Sequence, residues 1–105
     1  MNAQLFSNVR GNGEVLILLH GLFGCSDNLS RVAKELSEDF EVHSLDLRNH
    51  GKSFHSDEMN YGLMAFDIVS YMDGNNIQSS ILLGHSMGGK VAMTMALMHP
   101  ERVIK

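Results

Sequence analysis

The sharpest chemical signal is Gly84-His85-Ser86-Met87-Gly88, a G-x-S-x-G pattern between an apolar run and an amphipathic one. A strand that turns abruptly into a helix brings the backbone before and after the central residue together. Only glycine then fits two places to either side, at 84 and 88. The turn holds Ser86 in a strained conformation with its hydroxyl pointing out of the sheet, where it can attack a carbonyl carbon. The helix that follows opens with N–H groups that have no partner inside it, so Met87 N–H can donate to the oxyanion such an attack creates. A second donor is expected from His20-Gly21-Leu22-Phe23-Gly24, which follows the strongest apolar run.

The same stretch also reads as G-x-x-x-x-G-K, from Gly84 to Lys90. A phosphate-binding loop of that form needs Ser or Thr after the Lys to hold magnesium. Val91 stands there instead, and no acidic residue beyond it completes a metal site, so nucleotide binding is disfavoured. Other polar residues have plainer readings. His20 is expected to serve the structure of its loop. His85 sits on a tight turn that points it away from Ser86. His43, His50, His55 and His99 have no metal-ligand spacing and read as surface or loop residues. Asp46 and Arg48 are expected to anchor their loop through charge-assisted bonds. Cys25 reads as a small residue at the start of a helix, and Met64, Met72, Met93, Met95 and Met98 as flexible core filler, those nearest Ser86 also lining an acyl site.

Six elements position these residues. Val15–Leu19 is continuous and apolar, a strand covered on both faces. Ser26-Asp27 then reads as a helix cap before Leu29, Val32, Ala33 and Leu36 at helical spacing. Val42–Leu47 is a second strand, ending in Arg48-Asn49-His50-Gly51. Tyr61, Met64, Ala65, Ile68 and Met72 form a second helical stripe that ends at Gly74-Asn75-Asn76. Ser80–Leu83 is a third strand, and Met87 to Met98 a third helix stopped before Pro100. Alternating strands and helices predict an α/β fold, a mostly parallel sheet with helices on both faces. Working groups in such sheets gather at the carboxyl ends of the strands.

Composition sets the bounds. A chain of 105 residues holds one small domain. Its net charge of −4 offers no basic stripe for nucleic acid. Its single Cys excludes an internal disulfide framework. No run approaches the roughly 18 apolar residues of a membrane span. Leu22-Phe23-Gly24-Cys25 resembles a lipoprotein cleavage box, but Glu14 and His20 bracket the apolar run and Phe23 is bulky for such a site. The expected setting is the cytoplasm, with neither membrane nor nucleic acid as partner and no cofactor or metal.

HGLFG at 20–24, RNHG at 48–51 and GHSMGGK at 84–90, in this order, resemble the α/β-hydrolase family, and within it the YbfF-like and ABHD11-like esterases. Asn49 departs from the commoner superfamily form, which has Gly after the Arg. The RNHG version fits the YbfF-like subgroup and narrows the match. The resemblance implies the amino-terminal part of the family fold, with residues 1–105 as one partial domain ending after the helix that follows the nucleophile. It implies Ser86 as nucleophile in an elbow of Gly84, His85 and Gly88. Backbone N–H groups of Met87 and of Leu22 or Phe23 would form the oxyanion hole. The implied substrate is a small acyl ester, or an acyl-CoA thioester.

A serine nucleophile needs a base and a carboxylate to orient it, in the order Ser, Asp or Glu, then His. After Ser86 only His99 and Glu101 remain. A helix rises about 1.5 Å per residue, which puts His99 roughly 20 Å from Ser86. The expectation is therefore a truncated, inactive form of an esterase, the rival reading being a complete, non-catalytic interaction protein. The third strand, left as an open sheet edge, predicts self-association.

Overall fold

The central strand, Glu14–Leu19 (β2), is apolar along almost its whole length because both of its faces are covered. Leu16 and Leu18 face one layer, where they meet Val42, Ile81 and Ala33. Ile17 and Leu19 face the other, among Leu45, Met64, Ile68, Val91 and Met95. Each such side chain contributes roughly 1.5–3 kcal/mol by leaving water. The computed structural model describes residues 4–105. In it, β2 pairs in parallel with Phe40–Leu45 (β3) on one side and with Ile81–Gly84 (β4) on the other. A helix at Ser30–Leu36 (α1) crosses from β2 to β3 over one face, while Tyr61–Gly74 (α2) and Met87–Met98 (α3) cover the opposite face.

This is the mostly parallel α/β sheet with helices on both faces that the alternation predicts. Two elements differ. Ser7–Arg10 (β1) joins as an antiparallel edge on β3, giving the order β1-β3-β2-β4. Its half-exposed, polar residues carry no apolar alternation, as suits an edge strand. Ser26-Asp27 lies inside a 3₁₀ turn, Ser26–Leu29, and α1 starts only at Ser30.

The helix ends follow local chemistry. Asn60 caps α2, its side chain accepting from Leu63 N–H at 2.8 Å. Asn76, at φ 57°, ends it in the left-handed region. Met93 and Met98 are not core filler: they lie on the outer face of α3 at 61% and 55% exposure, whereas Met64, Met72 and Met95 are buried.

The expected open edge of β4 is partly occupied. Ser80 forms a parallel bridge with Val103. Ile104 N–H donates to the Ser80 carbonyl at 2.8 Å, and Leu82 N–H to the Lys105 carbonyl at 2.8 Å. The apolar end of the chain thus lies along the strand predicted to be bare.

Candidate active site

β2 and β4 are neighbours in register, Leu19 opposite Gly84, so the loops leaving their carboxyl ends lie side by side. The chain runs from β2 to β3 on one flank and returns to β4 on the other. That makes this end of β2 a switch point, where α/β sheets open a crevice. His85 N–H donates to the Leu19 carbonyl at 3.0 Å and extends the ladder one residue past β4.

Ser86 then turns the chain at φ 57°, ψ −115°, in the left-handed half of backbone space. The glycines permit it by close approach. A Cβ on Gly84 would strike the Gly88 carbonyl, and one on Gly88 would strike the Leu19 carbonyl. Across the crevice, a Cβ on Gly21 would lie 3.3 Å from Ser86 Cβ and 3.3 Å from His85 Nδ1, so the two loops touch. Met87 opens α3, with an N–H that has no acceptor inside the helix.

Ser86 is exposed and borders a cavity of about 450 Å³. Leu22, Met59, Tyr61, Met64 and Met87 supply its apolar walls, and Asn60 and Lys90 its other polar groups. Lys90 lies one helical turn beyond Ser86, its N–H on the Ser86 carbonyl at 3.2 Å. No histidine or carboxylate lines the cavity. His85 instead borders a shallow hollow with Gly21, Leu22, Phe23, Gly24 and Asn28.

The loops after β2 and β3 are tied by side chains. His20 is 1% exposed; its Nδ1 meets the Gly21 carbonyl at 2.7 Å and its Nε2 accepts from Leu47 N–H at 3.0 Å. His50 mirrors it, with Nδ1 on the Arg48 carbonyl at 2.8 Å and Nε2 accepting from Phe23 N–H at 3.1 Å. Each imidazole therefore sits on its own loop and takes an N–H from the other loop. These partners assign the neutral Nδ1–H tautomer to both rings. Burial lowers the His20 pKa below its ordinary value, in keeping with a neutral ring.

Asp46 closes the same network. Its carboxylate accepts from Ser26 N–H at 2.7 Å and Lys52 N–H at 2.9 Å. Burial alone would raise its pKa, but the N–H groups of Lys52 and Ser26 outweigh that and hold it below the ordinary value. Ser53 donates its hydroxyl to the Asp46 carbonyl and accepts from Phe6 N–H at 2.8 Å. Arg48 forms a bidentate pair with Asp67 of α2, at 2.6 and 2.9 Å, and donates to the Glu58 carbonyl at 2.8 Å. Hydrogen bonding to Asp67 raises the Arg48 pKa further.

Two histidines expected at the surface or in loops are buried, His43 in a strand and His50 in a loop. His50 is a loop staple, and His43 of β3 lies between Tyr71 Oη at 2.6 Å and Glu41 Oε2 at 2.7 Å. Sequence reasoning also passed over Met59 and Asp67, and gave Tyr61 and Lys90 no place in the cavity beside Ser86. Asp67 left a signal: it falls between Met64, Ile68 and Tyr71 on the apolar stripe of α2, where a carboxylate needs a cationic partner. Among the described residues, no cluster of three or more His, Cys, Asp or Glu could hold a metal, and no helix is long and apolar enough to cross a membrane.

Comparison with known proteins agrees with this architecture. The α/β-hydrolase fold family matches residues 14–105. Esterase YbfF of Escherichia coli is 39% identical over all of this chain and 41% of its own length. The sn-1-specific diacylglycerol lipase ABHD11 of Xenopus tropicalis is 46% identical over 87% of this chain and 29% of its own. A solved esterase from a marine microorganism superposes with a TM-score of 0.96 at 45% identity, over 99% of this chain and 40% of that one. The chain thus spans 29% to 41% of the length of the relatives named here. A strand, a glycine-bounded turn and a helix, set beside the loop of the neighbouring strand, place this chain in the α/β-hydrolase family, among its YbfF-like and ABHD11-like members.

Proposed function

We infer that the chain carries the nucleophile and oxyanion donors of a carboxylic-ester hydrolase, with Ser86 as nucleophile. The observation that carries this reading is Ser86 itself: a non-glycine residue at φ 57°, ψ −115°, exposed on the edge of an apolar cavity. Strain of this kind persists where surrounding structure enforces it, and it clusters at reactive residues. In the reaction, Ser86 Oγ bonds to the acyl carbon, its proton passes to a base, and the carbonyl oxygen becomes the oxyanion. Met87 N–H is one donor to that oxygen. Of the two alternatives for the second, Phe23 N–H is spent on His50, which favours Leu22 N–H. The cavity's apolar walls suit the acyl chain of an ester or an acyl-CoA thioester.

The base and its carboxylate partner are not among these residues on this reading. Among the described residues Ser86 Oγ has no hydrogen-bonded imidazole, and the twelve residues of α3 separate it from His99. The 105-residue chain is accordingly an inactive or nearly inactive form. Loss of triad partners costs up to about 10⁶ in turnover. Titration with an alkylboronic acid tests the nucleophile without needing the base, since boron accepts Ser86 Oγ directly. We expect a tetrahedral adduct that shifts the Leu22 and Met87 amides and vanishes in Ser86→Ala. If that variant binds the boronate equally well, the assignment of Ser86 is wrong. Brisk hydrolysis of p-nitrophenyl acetate, abolished by Ser86→Ala, would instead overturn the absence of a base.

Self-association is proposed through the open sheet edge on the β4 side, where residues 103–105 lie outermost among the described residues. A monodisperse monomer in sedimentation would refute it.

A further inference from the structure

Phe23 follows the proposed donor Leu22 and holds φ 62°. A bulky residue adopts that conformation only where its surroundings enforce it. Packing of its own side chain is not the cause, because the ring is 91% exposed. Two bonds restrain its backbone: Gly24 N–H to the Gly21 carbonyl at 3.0 Å, which closes the turn, and Phe23 N–H to His50 Nε2, 3.1 Å long and reaching across from the loop after β3. His50 is itself fixed, 7% exposed and with Nδ1 on the Arg48 carbonyl. Holding Phe23 N–H fixes the plane of the Leu22–Phe23 peptide. The Leu22 N–H belongs to the preceding peptide, whose Gly21 carbonyl accepts from His20 Nδ1 at 2.7 Å and from Gly24 N–H at 3.0 Å, so that with His50 both peptide planes of Leu22 are held. A Cβ on Gly21 would lie 3.3 Å from Ser86 Cβ, so this loop runs beside the nucleophile.

We propose that His50 is a positioning residue for the oxyanion loop: its neutral ring holds Phe23 N–H through Nε2, and this tie, together with the bonds to the Gly21 carbonyl, aims Leu22 N–H at the space above Ser86. The inference rests on the reading of Leu22 as an oxyanion donor. The His20 ring, 5.0 Å from that of His50, packs beside it from the loop after β2.

The test uses the ¹⁵N-labelled chain, His50→Gln, which keeps an acceptor that does not titrate, and His50→Leu, which has none. Imidazole nitrogen shifts should report the Nδ1–H tautomer for His50 at neutral pH. The exchange protection of the Phe23 amide should fall on the order of tenfold in His50→Leu and stay near the parent value in His50→Gln. Should His50→Leu fail to fold, the His50 tautomer in the parent chain still decides. An Nε2–H tautomer, or Phe23 protection that ignores the substitution, overturns the proposal. Ser86→Ala should leave all these readings unchanged, so failure of the boronate adduct and failure of this inference are told apart.

Discussion

The elbow at Gly84–Gly88 and the paired loops after β2 and β3 stand face to face across one crevice, yet they are held in different ways. The elbow is shaped by backbone contact: Gly84 against the Gly88 carbonyl, Gly88 against the Leu19 carbonyl. The loops are shaped by side chains that each satisfy a distant N–H: His20 for Leu47, His50 for Phe23, Asp46 for Ser26 and Lys52. Steric contact is indifferent to protons, whereas a hydrogen-bond network of imidazoles and a carboxylate is not. The nucleophile's side of the site should therefore be rigid across pH, and the oxyanion loop's side should be sensitive to acid.

The largest expected effect falls on the loop side. Arg48 and Asp67 are buried, at 9% and 7% side-chain exposure, and removing one partner strands a charge. Asp67→Ala should destabilise by about 3–5 kcal/mol in urea unfolding. A loss under about 1 kcal/mol would show that water reaches Arg48 and that this tie does not hold the loop. Gly88→Ala comes next, at about 3 kcal/mol, because its Cβ meets a strand carbonyl that cannot move without breaking the sheet. That loss should be the same at pH 8 and pH 5.

Acid supplies the direct contrast. Burial keeps the His20 pKa below its ordinary 6.5, so as pH falls the unfolded chain takes up that proton before the folded one does. Stability is fully present above pH 6.5 and declines as pH falls through the folded value. Asp46, held below its ordinary 3.8, adds a second decline in the same direction under that pH. Each group contributes a slope of at most about 1.4 kcal/mol per pH unit. His20→Gln should flatten the upper part. A parent chain equally stable at pH 7 and pH 5 would erase the distinction between the two sides. On the elbow side, Ser86→Gly should raise stability by about 1 kcal/mol, since glycine accepts φ 57° without strain.

The two sides also differed in how far they could be read in advance. The elbow is local: five consecutive residues contain both the constraint and the group it presents, so Gly84, Ser86 and Gly88 declare it. The sheet order is nearly as legible, because β2 and β4 are continuous apolar runs and their crossovers follow one hand. The staples are non-local. His50 gives no hint in its own stretch that a partner waits 27 residues earlier, and a histidine beside glycine and lysine reads as surface. β1 was invisible for a related reason, since an edge strand with mixed polar residues has no periodicity to announce it.

Asn49 joins the two kinds of information, and its substitution is the finest test of the contrast. It stands where the commoner superfamily form has Gly, and it takes φ 65°, the region that explains a glycine there. Asparagine is among the few side chains that tolerate this conformation. Here it gains a bond as well, its Oδ1 accepting from Ser56 N–H at 2.6 Å. Asn49→Gly should therefore be close to neutral, within about 0.5 kcal/mol, relief of backbone strain offsetting the lost bond. Asn49→Val keeps neither advantage and should cost about 2 kcal/mol in the same unfolding measurement. Were valine tolerated as well as glycine, the position would not be held in the left-handed region, and the RNHG turn would owe its shape to the side-chain network alone.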